Sequence, residues 1–196
     1  WAQTEPEYVP GFAKNAEEES GIGGAARGTV YHTFMEHIKI NEIASLDDVI
    51  VQVNELIAKG ILPEDTLTGN IIRADKIFKF AKSSLGQRMG MAQAKRTCYA
   101  EQPFVMGLPA SEIYDVPESK ETVLVQGIID MFFEEEDGIV LVDYKTDRIY
   151  PGEEEILKDR YRAQLDCYKQ AIEKTHKKPV KEMILYSFAL DKEIRL

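Results

Sequence analysis

The sequence predicts an α/β domain in which a mixed central β-sheet is flanked by helices. Helical periodicity dominates up to about residue 95, and short segments rich in β-branched and aromatic residues follow from residue 96. A long amphipathic helix separates the last two of these segments. Helices, then strands, then a helix crossing to a further strand together indicate a mixed sheet with helices packed on its faces.

The first helical segments lie in the N-terminal half of the chain. Residues 28–39 place apolar side chains at helical spacing and predict a buried helix. A second helix is expected from Ser45, which suits an N-cap, to a stop at Gly60. Residues 62–89 are interpreted as two further helical pieces.

Four later segments have the composition of β-strands. Each is short, rich in β-branched and aromatic residues, and bounded by Gly, Pro or charged residues. They span residues 96–107, 122–135, 138–146 and 182–190. Between the last two, apolar side chains recur at three- and four-residue steps and predict a long amphipathic helix: Leu157, Tyr161, Leu165, Tyr168 and Ile172.

The composition is that of an ordinary globular domain. Of the 196 residues, 44% are hydrophobic and 30% charged, and no apolar run approaches the roughly eighteen residues of a membrane span. Residues 1–23, rich in Glu, Gly and Pro, are interpreted as a strap or linker cut from a longer protein, and residues 24–196 as the folded domain. A net charge of −10 argues against broad, non-specific attraction to nucleic acid and leaves room for a local basic groove.

The cysteine content points to a reducing compartment. Cys98 and Cys167 are too few and too far apart for a disulfide framework or a CxxC metal site. A cytoplasmic protein is therefore the expectation.

Two aspartates interrupt the apolar strands on either side of the acidic turn at residues 134–138. Because side chains alternate along a strand, Asp143 and Lys145 share one face. Depending on where the turn is centred, Asp130 lies opposite Asp143 or opposite Lys145, and both registers bring it close to the same face.

Two carboxylates at cross-strand distance repel each other and resist burial unless a cation lies between them. Hard oxygen ligands favour Mg²⁺ or Mn²⁺ over zinc. The alternative is an ion pair of Asp143 or Asp130 with Lys145 at the end of the sheet, without catalysis. The hairpin alone leaves both interpretations open.

A group of basic residues stands out in this acidic chain. They occur between residues 73 and 96 without nearby compensation in the sequence: Arg73, Lys76, Lys79, Lys82, Arg88, Lys95 and Arg96. They predict either a solvated helix face or a wall that contacts phosphates.

Four short motifs occur in a fixed order along the chain: GTVYH (28–32), GIID (127–130), DYKT (143–146) and QLDCY (164–168). This order resembles the GxxxH, GxxD, DYKT and QxxxY motifs of RecB-type PD-(D/E)XK nucleases. The resemblance covers roughly residues 24–190 and is strongest to the C-terminal nuclease domains of AddA-type subunits of bacterial AddAB helicase-nucleases. It implies a restriction-endonuclease-like fold with an inserted helical segment.

The resemblance also implies the roles of the central residues. His32, Asp130 and Asp143 would bind the metal together with the backbone carbonyl of Tyr144. Lys145 would be the catalytic lysine. Without the motif, a lone histidine on a helix is more often structural than a ligand.

Three further residues have two interpretations each. Gln164 and Tyr168 are one helical turn apart and would contact DNA or support the lysine, although Tyr168 also fits core packing. Glu101 corresponds to a glutamate common one strand before the hairpin in this family. It would contact metal or water, or be an exposed charge at a strand end.

The resemblance predicts a Mg²⁺- or Mn²⁺-dependent deoxyribonuclease, acting as an exonuclease on single-stranded DNA in double-strand-break repair and recombination. The expected partners are helicase domains of the same polypeptide and a second nuclease-bearing subunit of AddB type. Some relatives carry four cysteines for an iron–sulfur cluster, which the two cysteines of this chain cannot supply. The alternatives are a non-catalytic interaction domain that keeps the fold, and a stand-alone RecB-type exonuclease.

Overall fold

The structure, a computed structural model, describes residues 22–113 and 121–196. Its helices comprise a bundle before the sheet, a single turn between strands and one long helix near the end. They are α1 (Ile22–His37), a 3-10 helix (Ile40–Glu42), α2 (Leu46–Ala58), α3 (Ala74–Lys82), α4 (Ser84–Lys95), α5 (Ala110–Ile113) and α6 (Glu154–His176).

A mixed five-stranded sheet forms the centre of the described residues, with strands in the order β1-β2-β3-β4-β5. The strands are β1 (Cys98–Pro109), β2 (Thr122–Glu135), β3 (Gly138–Lys145), β4 (Val180–Ser187) and β5 (Lys192–Arg195). Neighbours pair antiparallel except β3 and β4, which pair parallel and are joined through α6. The predicted α/β class and the mixed sheet are confirmed.

Helices cover both faces of the sheet. On one face, α1 to α4 pack against alternate residues of β3 such as Val142 and Tyr144. On the other, α6 packs against the intervening residues, including Ile139 and Leu141. Because both faces are covered, β3 is buried from Gly138 to Tyr144, which explains its nearly continuous apolar sequence.

The helix ends follow local chemistry. Ser45 caps α2 as predicted: its side chain accepts from the Asp48 N–H, and the Asp48 carboxylate accepts from the Ser45 N–H in return. Gly60 follows the helix with a φ of +69°, which glycine adopts without strain. Ser83 separates α3 from α4 and caps the latter through the Gly86 N–H.

Several boundaries differ from the sequence prediction. Helix α1 begins at Ile22, because the Ala-containing stretch before Gly28 continues the helix. Strand β4 ends at Ser187, since a turn closes through Asp191, whose φ is +52°. The short β5 after that turn was not predicted.

Residues 1–21 of the predicted strap lie outside the described residues, and the division at residue 23 stays a prediction. Among the helices that are described, none combines the length and apolar character needed to cross a membrane.

Candidate active site

The two aspartates of the hairpin lie where β2 and β3 separate. Backbone pairing of these strands ends with Met131 opposite Val142. Continuing this register puts Asp130 opposite Asp143, the first of the two registers that the sequence allowed. Beyond the last pair, Asp130 Oδ2 accepts a hydrogen bond of 2.9 Å from the backbone N–H of Tyr144. The carboxylate thus takes the place of a strand partner at the split in the sheet.

Two further groups reach Asp130 from neighbouring elements. His32 comes from α1, and its Nδ1 lies 3.3 Å from Asp130 Oδ1. Glu101 comes from β1, whose register with β2 places it opposite Asp130. Its φ of +46° is in the left-handed region, a strained conformation that functional sites often contain. One ligand atom from each of the three residues lies within 4.8 Å of the other two.

A second group of side chains lies on the α6 side of the sheet. Lys145 Nζ is 2.7 Å from Asp143 Oδ2, and Asp143 is fully buried. The Lys145 ammonium also lies over the ring of Tyr161, 3.9 Å from its centroid. A carboxylate and an aromatic face therefore hold the lysine between them.

Burial and mutual attraction set the protonation of these groups. Burial raises the pKa of Asp143 to about 6, which Lys145 partly offsets and the nearby Asp130 charge increases. Burial also opposes ionisation of Asp130, but the charges of His32 and Lys145 hold its pKa below the ordinary value. Burial lowers the pKa of His32, yet attraction to Asp130 outweighs it and the net direction is upward.

The other two ionisable groups follow the same physics. Burial lowers the pKa of Lys145, but Asp143 and Asp130 raise it by more, so the lysine stays cationic. Burial and the charge of Asp130 raise the pKa of Glu101. The group as a whole contains three carboxylates, those of Glu101, Asp130 and Asp143, against at most two cationic side chains, His32 and Lys145.

A divalent cation fits this excess of negative charge. The Oδ1 atom of Asp143 is buried and has no hydrogen-bond partner among the described residues. Glu101 and Asp130 add hard carboxylate oxygens, and His32 adds an imidazole nitrogen. Mg²⁺ and Mn²⁺ accept donors of this kind. In the structure the trio of His32, Glu101 and Asp130 is brought together, while Asp143 lies outside that close group.

The predicted pair on α6 is also brought together. Gln164 Nε2 donates to the Tyr168 hydroxyl at 2.7 Å. Tyr168 is 5% exposed and its ring meets Phe104 edge to face, with centroids 5.6 Å apart. The packing interpretation of Tyr168 therefore holds alongside any role at the site. Gly127 leaves room for this arrangement, because a Cβ there would lie 2.9 Å from the Phe104 ring.

Most of the basic residues between 73 and 96 are compensated in the structure, although the sequence gives them little nearby compensation. The partners are acidic residues close in space: Arg73 pairs with Asp75, Lys76 and Lys79 with Asp191, and Arg88 with Glu135 and Glu182. Lys95 and Arg96 are exposed and make no ion pair within residues 22–113 and 121–196. A contact of Arg73, Lys76 or Arg88 with DNA stays a prediction, and these ion pairs weaken it.

Two residues on the helices that carry His32 and Gln164 were not predicted from the sequence. Tyr161 was assigned only to the apolar stripe of α6; its position three residues before Gln164, on the same helix face, is the signal that could have revealed it. Arg27 precedes Gly28 on α1 and lies over the Tyr31 ring, 5.5 Å from the centroid. Its Nε is buried without a hydrogen-bond partner among the described residues.

Comparison with known proteins shows the family of this chain. A family model described as the PD-(D/E)XK nuclease superfamily matches residues 7–194. The chain belongs to the PD-(D/E)XK nuclease superfamily. Asp130, Asp143 and Lys145 fit the order of acidic residues and lysine in that name.

Curated relatives include much longer chains named as ATP-dependent helicase/nuclease subunits. One from Clostridium perfringens is 40% identical over 192 residues, covering 95% of this chain and 15% of the relative. One from Clostridium novyi is 37% identical over 196 residues, covering 96% and 16%. One from Acetivibrio thermocellus is 37% identical over 190 residues, covering 93% and 14%. The PD-(D/E)XK domain thus spans about 15% of the length of the relatives it matches.

Proposed function

We propose that this PD-(D/E)XK domain is a metal-dependent deoxyribonuclease that hydrolyses single-stranded DNA as an exonuclease in double-strand-break repair and recombination. The observation that carries the proposal is the buried Asp143–Lys145 pair beside the trio of His32, Glu101 and Asp130. A buried, incompletely bonded carboxylate is costly to the fold, so its retention favours a role in binding or catalysis.

The metal ligands in this proposal are His32, Glu101, Asp130 and Asp143, together with the backbone carbonyl of Tyr144. The ion is Mg²⁺ or Mn²⁺, because carboxylate oxygens predominate in the donor set. When bound, it would polarise the scissile phosphate and acidify the attacking water. The Asp130 carboxylate is already fixed by the Tyr144 N–H and is held ready in its ionised form.

Lys145 has a separate task in this mechanism. Its ammonium is cationic and fixed between Asp143 and Tyr161. A fixed cation close to the phosphate stabilises the negative charge that builds up on the phosphoryl oxygens during attack, without reorganising when the reaction occurs. The lysine also donates hydrogen bonds that can orient the water.

The DNA contacts in this proposal come from both sides of the site. Gln164 and Tyr168 line the α6 side, and Lys95 and Arg96, which have no acidic partner among the described residues, lie at the end of α4. Such contacts go to phosphates and sugars and read little sequence. They are compatible with an acidic domain, since only a few basic residues need to face the strand.

The partners belong to the same proposal. The relatives are named as helicase/nuclease subunits and are much longer than this chain, which supports helicase domains in the same polypeptide that deliver single-stranded DNA. A second nuclease-bearing subunit of AddB type and a cytoplasmic location complete the proposed setting.

Digestion of a labelled single-stranded oligonucleotide with Mg²⁺ or Mn²⁺ tests the proposal. The wild-type chain should cut only with metal, and Asp143→Ala and Lys145→Ala should each abolish cutting. Lys59→Ala and Asp65→Ala, which remove exposed charges of the same two kinds away from the site, serve as matched controls and should retain activity.

Metal binding measured by calorimetry with Ca²⁺ or Mn²⁺ separates the remaining outcomes. Asp143→Ala should lose this binding, whereas Lys145→Ala should keep it. A wild-type chain that binds no metal and cuts no DNA contradicts the proposal. A chain that binds metal but does not cut single strands contradicts the nuclease activity of the isolated domain and favours the interaction-domain alternative.

A further inference from the structure

A cavity of about 460 Å³ opens beside the candidate metal site. Its floor is apolar, formed by the buried Ile38 and Met131 and the half-buried Cys98 and Ala100. Its exposed rim comes from the end of α1, the 3-10 helix and the last turn of α4, and includes Arg96. The volume lies within the range of roughly 300–1,000 Å³ that is usual for small-molecule sites.

The cavity adjoins the metal site through the two central strands. Ala100 pairs with Met131 across β1 and β2, and both residues line the floor. The next residue towards the site on each strand is a carboxylate, Glu101 on β1 and Asp130 on β2. The rim residue Glu36 lies one helical turn after the metal candidate His32. A group in the cavity would therefore lie next to the reacting phosphate.

The walls are already fixed by hydrogen bonds. The Gln93 side chain accepts from the Ile40 N–H at 3.1 Å and donates to the Ile38 carbonyl at 2.7 Å. The Asn41 amide donates to the Gly90 carbonyl at 2.7 Å. With these polar groups occupied, the cavity is preformed and offers few groups for reading the edge of a ligand.

The balanced charge of the rim and the apolar floor of the cavity favour a neutral, flat ring as the ligand. The rim has two acidic side chains, Glu36 and Glu42, against two basic ones, Lys39 and Arg96, so it has no net attraction for a free anion. The sulfur atoms of Cys98 and Met131 lie 3.2 Å apart on the floor, and sulfur makes favourable contacts with π systems.

Arg96 on the rim can bind a phosphate group attached to such a ring. Lys39 is engaged with Glu42 at 3.2 Å, whereas Arg96 makes no ion pair within the described residues. Since no described acidic residue engages it, the Arg96 guanidinium can contact the phosphate backbone of a strand whose base occupies the cavity.

We propose that this cavity binds the nucleobase of the nucleotide adjacent to the scissile phosphate, with Arg96 on the neighbouring phosphate. The inference rests on the proposed nuclease function and deepens it, because a base can enter the cavity only when it is unpaired and unstacked. Selection for single strands is then a property of the domain itself. Little preference among the four bases follows, since packing rather than edge recognition holds the ring.

A scan with single abasic sites tests the proposal on the full chain of 196 residues. Affinity for a labelled single-stranded oligonucleotide is measured in Ca²⁺, and cleavage of the same oligonucleotides in Mg²⁺ or Mn²⁺ maps each abasic site relative to the cut. Removing the one base next to the cut should weaken binding about tenfold, and removing more distant bases should have little effect.

A cavity-filling variant provides the critical comparison. Ala94 lies on the exposed last turn of α4 and lines the cavity, so Ala94→Leu should fold and narrow it. In this variant the intact and abasic oligonucleotides should bind equally. Ala58→Leu, an equivalent exposed change on α2 away from the cavity, should keep the tenfold difference. Arg96→Gln should weaken binding of intact and abasic strands alike.

The outcomes separate the inference from the proposed function. If the chain cleaves DNA with metal but no single abasic site weakens binding, the cavity assignment alone is overturned. The cavity assignment is also overturned if the abasic site next to the cut still weakens DNA binding in Ala94→Leu, because the base must then bind elsewhere. A chain that neither binds nor cuts DNA contradicts the proposed nuclease and the cavity assignment together.

Discussion

Replacement of Arg88 by Met tests how the inserted helices are fastened to the sheet. Arg88 on α4 forms two hydrogen bonds with Glu135 on β2, at 2.8 and 2.9 Å, and also contacts Glu182 on β4. Hydrogen bonds from Arg88 are the main cause that lowers the pKa of Glu135 from 4.5 to about 2. One pKa unit corresponds to about 1.4 kcal/mol of free energy. The interactions of the ionised Glu135 carboxylate therefore stabilise the fold by at most about 3.4 kcal/mol.

Only part of that free energy depends on Arg88. Lys181 also pairs with Glu135, and a quarter of the Glu135 side chain is exposed to water. We therefore expect Arg88→Met, which keeps an unbranched apolar stem, to lower the free energy of unfolding by about 1–2 kcal/mol at pH 7. Urea unfolding followed by far-UV circular dichroism measures the difference.

The direction of the pKa shift of Glu135 sets how its contribution to stability changes with pH. The pKa of Glu135 is lower in the folded than in the unfolded chain, so its stabilisation is complete above about pH 4.5 and is lost as the pH falls towards 2. The gap between wild type and Arg88→Met should therefore be smaller at pH 3 than at pH 7.

Arg195→Met is the matched control for this prediction. Arg195 contacts the same Glu182 at 3.6 Å, but its side chain is 62% exposed, and its removal should cost no more than about 0.5 kcal/mol. A loss for Arg88→Met no larger than this, or a gap that does not change between pH 7 and pH 3, would refute the reasoning.

Three further changes address the site and its supports. Tyr161→Leu removes the aromatic face over Lys145 and should lower the rate of single-strand cleavage about tenfold, whereas Tyr161→Phe should keep most of it; equal losses would contradict the cation–π role. Gly127→Ala places a Cβ 2.9 Å from the Phe104 ring and should destabilise the domain by about 1–3 kcal/mol in urea, with partial recovery when Phe104→Leu is added. Ser45→Ala should cost about 1 kcal/mol by the same measurement, and an unchanged unfolding midpoint would argue against the cap.

The hairpin could be predicted from the sequence because its information is local. A short acidic turn limits the two strands to two registers, and the structure has the one that places Asp130 opposite Asp143. Side-chain alternation then puts Lys145 beside Asp143, and the structure has the two in contact. His32 lies far from the hairpin in sequence, and only its place in the motif order indicated that it belongs to the same group.

The ion pairs of the basic residues between 73 and 96 could not be predicted, because most of the acidic partners are distant in sequence. Arg88 pairs with glutamates of two strands, and Lys76 with Asp191 near the end of the chain. No local window shows those contacts. Tyr161 was missed for a related reason: an aromatic residue in an apolar stripe has the same pattern whether its ring packs on Leu or on an ammonium. The cavity could not be predicted from the sequence either, because two α-helices, the 3-10 helix, two strands and residues between these elements contribute its lining.

The residues of the site come from α1, β1, β2, β3 and α6. The site can therefore form only when these elements have folded together. The parallel pair of β3 and β4 can close only after α6 has crossed between them, and such sequence-distant pairings form slowly. A partly folded chain would have its acidic residues scattered among unconnected elements. On refolding, cleavage of DNA should therefore return together with the full circular dichroism signal, with no earlier phase in which a fragment of the domain attacks DNA.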